Sequence, residues 1–472
     1  MSKPVRVRFA PSPTGYLHVG SIRSGLFNWL WAKHNHGVSI VRIEDTDRKR
    51  LVEGAIEQIN ASLEVLGIAP DEGPVQGGRF GPYIQSRRRQ IYVDQAQTLL
   101  KNGQLYRCWC TPQRLDSLRT AAQVAGTAFK YDRYCLSVSN QQNVTEPHVL
   151  RFKIPEVPAI IAWEDAVRGH MEFKSSELDD FVAIKADGYP TYHFANVVDD
   201  HLMEISHVLR ADEWLPSTPK HLLMFAAFEW EAPIYAHLPA VLGPAGNKKL
   251  SKRDGAQSVQ EYIDEGFLPE ALRSFLASLG WNDGTTQEMY TTDELIQNFS
   301  LERIQRSPAK FDRDRLVWMN GLMIRQMPLQ QLLDRTEPFW PSAAATHTRE
   351  YRLQVLSLVQ ERLKFFSELP ELTDFFFSEQ AVSPDHMLLE SRPLLEAASI
   401  SLSVSDFSEV DLEKRLRDLA VSLDVKPGTL FSALRIAVTG KKIAPGIFET
   451  LHTLGRETSL KRLKFSISAF NR

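Results

Sequence analysis

The sequence predicts an α/β chain in which a parallel sheet is interrupted by an α+β insertion and followed by a helical final third. Three observations carry this. Strand, helix and strand patterns follow one another at the amino terminus. The βα rhythm breaks near residue 88 and resumes near 189. Beyond residue 255, apolar residues recur at helical spacing almost to the end. At 472 residues the chain exceeds what one hydrophobic core supports, so three to five structural units are expected.

Val5, Val7 and Phe9 alternate with Arg6 and Arg8, the period-two pattern of a strand. Ala10 to Ser21, read APSPTGYLHVGS, then turns the chain into a helix whose apolar face holds Ile22, Leu26, Trp29 and Leu30. Prolines and glycines shape that turn, and His18 and Ser21 sit where a new helix exposes unpaired N–H groups, a natural seat for phosphate. A second β-rich run, Val38 to Ile43, ends in Glu44-Asp45-Thr46-Asp47. Strand, helix, strand implies a parallel βαβ unit that gathers polar residues at the carboxyl ends of its strands, where such sheets bind ligands. Ile56, Ile59, Leu63 and Leu66 mark an amphipathic helix closed by Gly67. The interval 89–188 reads as the insertion, with short strands at Val149 to Ile154 and Phe181 to Ile184. The βα rhythm resumes at Pro190 to Phe194 and runs through the strand-like Ile205 to Leu209, followed by a helix from Thr218 to Phe228 and a strand from Leu238 to Leu242. Gly246 to Asp254, read GNKKLSKRD, follows, and 336–349, rich in Pro, Ala and Thr, is the one expected linker of the helical part.

The net charge of −3 does not announce a nucleic-acid binder, yet local basic excess exists. Residues 301–335 carry seven Lys or Arg against four acids, and 410–472 carry twelve against six. MSKPVRVRF enters a strand directly, and no apolar run approaches membrane-spanning length, so a cytoplasmic protein with no membrane partner is expected. Three cysteines cannot form a disulfide framework and fit a reducing compartment.

Alone, the opening bend is an ordinary turn and the basic run an ordinary solvated loop. Together they suit ATP activation: one element seats the triphosphate, and mobile lysines neutralise charge that develops as pyrophosphate leaves. At this point the residues resemble a known family. HVGS at His18 to Ser21 and KLSKR at Lys249 to Arg253 resemble the two signatures of class I aminoacyl-tRNA synthetases. Read with RIEDTD at Arg42 to Asp47, GPYIQSRR at Gly81 to Arg88, the segment Pro190 to Trp214 and WMNG at Trp318 to Gly321, they look like bacterial glutamyl-tRNA synthetases over nearly the whole chain.

The resemblance implies a Rossmann-like catalytic domain (1–88 and 189–245), an inserted acceptor-end-binding domain (89–188), a stem-contact domain bearing the KLSKR loop (246–330) and a helical anticodon-binding region (331–472). It implies that L-glutamate attacks the α-phosphate of Mg²⁺-bound ATP, and that the terminal adenosine of tRNA(Glu) then takes the glutamyl group, the first step generally needing bound tRNA. His18, Lys249 and Lys252 would be catalytic, with Pro11, Gly15, Gly20, Ser21, Ser251 and Arg253 also binding ATP. Where the class usually ends its first signature in His, Ser21 stands here. Glutamate carries two carboxylates and an ammonium, so its pocket needs an arginine fork and an acid. Arg8, Glu44, Tyr192, Asn196 and Arg210, with Ala10 and Ser12, match the family's glutamate positions. Glutamine would turn an amide NH₂ toward donor-only guanidinium groups, so it is rejected without editing. Asp45 and Asp47 read instead as turn caps.

Cys108, Cys110, Tyr131 and Cys135 match a zinc-binding spacing found in some members of the family, although Cys-X-Cys is tight and Tyr131 an unusual fourth ligand. A metal-free buried cysteine cluster is the alternative. Arg435, Lys441, Lys442, Arg456, Lys461, Arg462 and Lys464 are compatible with a tRNA path. Phe365, Phe366 and Phe375 to Phe377 read either as stacking platforms or, more commonly, as core. A monomer is expected. Competing readings are an enzyme that also charges tRNA(Gln), with the deciding residues in the carboxyl-terminal helices near Gln360 to Lys364, and a catalytically silent tRNA-binding homologue. A nucleotidylyltransferase is more remote, since it would not need the helical tail.

Overall fold

The computed structural model describes residues 4–15, 17, 19–138, 145–157, 159–246, 248–250, 257–378 and 391–469. The chain divides into two compact units, residues 1–262 with 269–313, and residues 263–268 with 314–472.

In the first unit, β1 (Arg6–Phe9) feeds α1 (Val19–His34), which returns to β2 (Val38–Val41), parallel to β1 with Arg8 opposite Ile40. Gly37 makes this return possible, because a Cβ there would lie 2.2 Å from the Val5 carbonyl oxygen. α2 (Ala55–Val65) ends before Gly67, whose φ of +65° lies where side-chain-bearing residues are strained. The chain continues through α3 (Arg89–Lys101), β3 (Leu105–Cys108), α4 (Pro112–Val124), α5 (Tyr134–Val138), β4 (Val149–Phe152), β5 (Ile160–Asp165), β6 (Gly169–Lys174) and β7 (Val182–Ile184). It then runs through α6 (Tyr192–Leu202), β8 (His207–Ala211), α7 (Thr218–Ala227), β9 (Ile234–Leu238) and β10 (Val241–Leu242).

Six of these strands form one sheet in the order β2-β1-β8-β9-β5-β6, parallel except for β6. The parallel βαβ reading of the amino terminus therefore holds. The interval read as one insertion is divided: β3, β4 and β7 make a separate antiparallel sheet, whereas the β5–β6 hairpin joins the edge of the main sheet. Where the rhythm resumes, the run Pro190 to Phe194 leads into α6. Phe194, Val197 and Val198, spaced i, i+3, i+4, are fully buried on one helical face, and that burial overrides local β preference. The expected strand Leu238 to Leu242 splits between β9 and β10 at Pro239, which cannot donate to a ladder.

Beyond residue 257 come α8 (Val259–Asp264), α9 (Pro269–Ser278), α10 (Thr292–Asn298) and β11 (Ala309–Lys310), the last parallel to β10. The second unit is helical from α11 (Arg313–Gln326) to the kinked helix Ile447–Ala469, which breaks helical geometry at Gly455. Its core gathers Val355, Phe375, Phe376, Phe377, Leu412 and Leu434. The three phenylalanines are thus core, not stacking platforms. The stretch 336–349 is not a free linker, because Ala344 is fully buried and the Trp340 ring meets Phe377 edge-on at 5.5 Å. No helix among the described residues is long and apolar enough to cross a membrane.

Candidate active site

A cleft of about 390 Å³ opens at the carboxyl ends of β1, β8 and β9, the place a parallel sheet reserves for ligands. All seven residues matched to glutamate binding line it: Arg8, Ala10, Ser12, Glu44, Tyr192, Asn196 and Arg210. So do Pro11, Gly15, Gly20, Ser21 and Lys249 of the ATP set. His18, Ser251, Lys252 and Arg253 lie outside the described residues.

Backbone hydrogen bonds hold the opening turn in place. Glu44 N–H donates to the Pro11 carbonyl at 3.0 Å, and Val52 N–H to the Pro13 carbonyl at 3.0 Å. The first N–H of α1, at Val19, donates to the carbonyl of Gln257, a few residues past the KLSKR stretch, at 3.3 Å. The start of α1 and the chain just past the KLSKR stretch are therefore joined by the backbone.

The floor of the cleft is a buried charge network. Asp200 accepts from Arg8 Nε at 3.0 Å and from Arg42 Nη1 at 2.7 Å. Glu44 Oε1 accepts from Arg42 Nη2 at 3.0 Å and from Asn196 Nδ2 at 3.1 Å. Burial opposes the charge on Arg42, but Asp200, Glu44 and Asp199 around it outweigh burial and raise its pKa. Asp200 is likewise held below the usual carboxylate range, burial being outweighed by Arg8 and Arg42. Glu44 behaves oppositely: burial raises its pKa, outweighing the nearby Arg42 and Arg8 guanidinium groups. It is the acid of the cleft with least compensation. The expected turn caps are not seen: Asp45 accepts from the sequence-distant Ser86 N–H at 2.7 Å and pairs with Arg48 at 3.1 Å, and Asp47, at the start of the 48–50 turn, makes no side-chain cap hydrogen bond.

Arg210 differs from Arg8. Its Nε donates to His237 Nε2 (3.1 Å), Nη1 meets His221 Nδ1 (3.3 Å) and Tyr192 Oη (3.4 Å), and Nη2 donates to Thr218 Oγ1 (2.8 Å) and the Trp214 carbonyl (3.2 Å). All five N–H groups meet neutral acceptors, so hydrogen bonding is satisfied while charge is not. The histidines are neutral in this setting. Burial and the nearby guanidinium lower His221, and burial and Lys220 lower His193 to about 4. Beside them the Tyr192 ring lies 4.3 Å from Trp214, and Lys249 pairs with Glu213 at 2.5 Å.

The cysteine expectation gathers in space. The sulfur atoms of Cys108, Cys110 and Cys135 lie within 4.8 Å of one another. Tyr131 Oη lies 3.3 Å from Cys108 Sγ and 3.4 Å from Cys110 Sγ. These separations suit the edges of a tetrahedron around a zinc ion with bonds of about 2.0–2.3 Å, so three sulfurs and one phenol oxygen fit such a group. Arg151 donates to Cys108 Sγ at 3.2 Å and lies over the Tyr131 ring at 3.9 Å, which favours negative charge on this donor set.

Several participants escaped the linear reading. Asp200 and Arg42 were present within recognised motifs, but nothing in their spacing showed that they join Arg8 and Glu44. His237, His221 and Thr218 around Arg210 carried no signal of their own. Of the carboxyl-terminal basic cluster, Arg462 is buried and donates to the carbonyls of Val438, Phe375 and Ser378, so its role is structural. Gln360 similarly binds the carbonyls of Ile324 and Met327.

Comparison with known proteins supplies the wider setting. Residues 4–318 match the family model for the catalytic domain of class I tRNA synthetases (E and Q), and 331–467 match an anticodon binding domain. A glutamate–tRNA ligase of Dehalococcoides mccartyi is 45% identical, covering 99% of this chain and 98% of its own, and one of Clostridium kluyveri is 40% identical over 98% and 97%. The crystal structure of a glutamate tRNA ligase from Elizabethkingia meningosepticum in complex with its amino acid superposes with a TM-score of 0.91 at 33% identity, covering 99% of this chain and 100% of that one.

Proposed function

The chain belongs to the class I tRNA synthetases of the glutamate and glutamine type, and we propose how its cleft performs the reaction of a glutamate–tRNA ligase. The observation that carries the proposal is the buried Arg210 fork, held by neutral acceptors only, across the cleft from an undercompensated Glu44. A ligand with a carboxylate for the first and an ammonium for the second completes both charges. Glutamate supplies both.

In this reading the side-chain carboxylate of glutamate takes Arg210 Nη1 and Tyr192 Oη, displacing the longest of the five hydrogen bonds, and the ammonium is held by Glu44. Arg8 stays paired with Asp200 and supports the same end of the pocket. The α-carboxylate is thereby aimed at the α-phosphorus of ATP, taken as its Mg²⁺ complex, whose phosphates rest on the turn Pro11 to Ser21. Attack forms glutamyl-adenylate, and pyrophosphate leaves. The terminal hydroxyl of tRNA(Glu) then attacks the activated carbonyl, and AMP leaves. His18, Lys249 and Lys252 would stabilise the charge on the phosphates, so rate comes from positioning and electrostatics without a covalent enzyme intermediate. Lys249 must first leave Glu213 to do so. Glutamine would set its NH₂ against guanidinium N–H groups, donor facing donor.

Cys108, Cys110, Cys135 and Tyr131 would hold a structural Zn²⁺ in the three-stranded-sheet region, a closed set that fixes the loop after β3 and supplies no step of the reaction. The acceptor end, stem and anticodon of tRNA would meet residues 89–188, 246–330 and 331–472 in turn, with Lys442, Lys461 and Lys464 exposed for phosphate contact. A monomeric, cytoplasmic enzyme is consistent with these parts. The test is aminoacylation of purified tRNA(Glu) and tRNA(Gln), with ATP–pyrophosphate exchange in the presence of tRNA. Charging of tRNA(Glu) with glutamate supports the proposal, additional charging of tRNA(Gln) widens its RNA range, and no exchange by folded protein refutes it in favour of a silent binding homologue.

A further inference from the structure

We infer that Asp165, acting through His237, is a positioning pair that aims the Arg210 guanidinium at the substrate carboxylate. The inference rests on the pocket reading above and adds two residues to it. Three neighbouring strands deliver the parts side by side. Arg210 on β8 stands directly opposite His237 on β9, and Asp165 ends β5, the next strand, opposite Tyr235. All three side chains are buried, Asp165 at 3% exposure and His237 at 0%.

Donor and acceptor roles are forced. The Arg210 Nε–H can only donate, so His237 Nε2 accepts at 3.1 Å and must be unprotonated. The ring is neutral in its burial, so its proton sits on Nδ1, where Asp165 Oδ2 accepts it at 2.5 Å. Asp165 is fixed in turn: its other oxygen, Oδ1, accepts the backbone N–H groups of Val167 (3.1 Å) and Arg168 (2.9 Å) at the β5–β6 turn and of His237 (3.1 Å) on β9. A carboxylate in this place selects the single imidazole tautomer that offers Arg210 an acceptor. Thr218 Oγ1, 3.2 Å from His237 Nε2 and 2.8 Å from Arg210 Nη2, closes the ring of contacts. The arrangement holds a cation by its neutral side and leaves its charge for the ligand, which a directly paired carboxylate would not.

Asp165→Asn inverts the relay with almost no change in volume. The asparagine oxygen must remain on three backbone N–H groups, so its NH₂ faces His237 Nδ1 and drives the proton to Nε2, against the Arg210 Nε–H. We expect the KM for glutamate to rise about 10- to 100-fold, the scale of losing a hydrogen bond to a charged group. The KM for ATP and the melting temperature should stay near wild type. Side-chain nitrogen resonances of His237 should move from the Nδ1–H to the Nε2–H pattern. Arg210→Met is the companion. If it raises the glutamate KM while Asp165→Asn does not, the relay is overturned and the pocket reading stands. If Arg210→Met leaves the glutamate KM unchanged, both fall. Equal losses of glutamate KM, ATP KM and stability in Asp165→Asn reduce the pair to a structural role and also overturn the inference.

Discussion

Replacing Arg210 with methionine should separate binding from stability, because the guanidinium is buried beside no acid. Losing it leaves the Trp214 carbonyl and His221 Nδ1 without their donors, at about 1–2 kcal/mol each. His237 Nε2 and Thr218 Oγ1 remain 3.2 Å apart and can satisfy each other. Against this loss stands the removal of an uncompensated buried cation, whose desolvation opposes folding by a comparable amount. The two nearly cancel, so the thermal transition of the first unit should move by only a few degrees. Binding has no such offset. A guanidinium–carboxylate pair in a dry cleft contributes about 2–4 kcal/mol, and at 1.36 kcal/mol per factor of ten the kcat/KM for glutamate should fall about 30- to 900-fold. ATP–pyrophosphate exchange at varied glutamate concentration measures it, with thermal denaturation alongside. Preference for glutamate over glutamine should shrink by a similar factor, since glutamine gains nothing from the lost charge. An Arg210→Met protein with a wild-type glutamate KM, or one whose fold collapses, would refute the reasoning.

Three further expectations follow from the same geometry. Burial raises the Glu44 pKa, so the carboxylate that should hold the ammonium is lost on acidification at a higher pH than an ordinary glutamate. The glutamate KM should rise as pH falls through that value, and Glu44→Gln, whose oxygen keeps both hydrogen bonds, should abolish this acid limb, raise the KM at neutral pH and leave stability equal or higher. The sign follows because an acid with a raised folded pKa costs stability above it, a cost glutamine does not carry. Metal analysis should find one zinc per chain, reduced by Cys110→Ala, and purified protein without stoichiometric zinc would eliminate the proposed site. Phe376→Ala should destabilise the second unit by about 3–5 kcal/mol, read as a lowered transition in a melt, and an unmoved transition would contradict its place in the core.

The parallel sheet, the opening βα turn and the gathering of Arg8, Glu44, Tyr192, Asn196 and Arg210 in one cleft were legible in the sequence because each depends on local pattern: alternation in β1, a Pro- and Gly-rich turn, and short motifs that resemble a family. The phenylalanines of 375–377 needed the fold, since aromatic residues at helical spacing read alike as core or as exposed platform until their burial is known. The split of residues 89–188 between two sheets was equally hidden, because strand partners are chosen across the chain. Charge shows the division most clearly. The sequence by itself determined that Arg8, Arg210 and Glu44 would meet at strand ends. Only the tertiary structure decided that Asp200 neutralises Arg8 while Arg210 is held by histidines, threonine and a carbonyl. Pairing between buried groups is set by strand register and ångström distances, which no local pattern encodes.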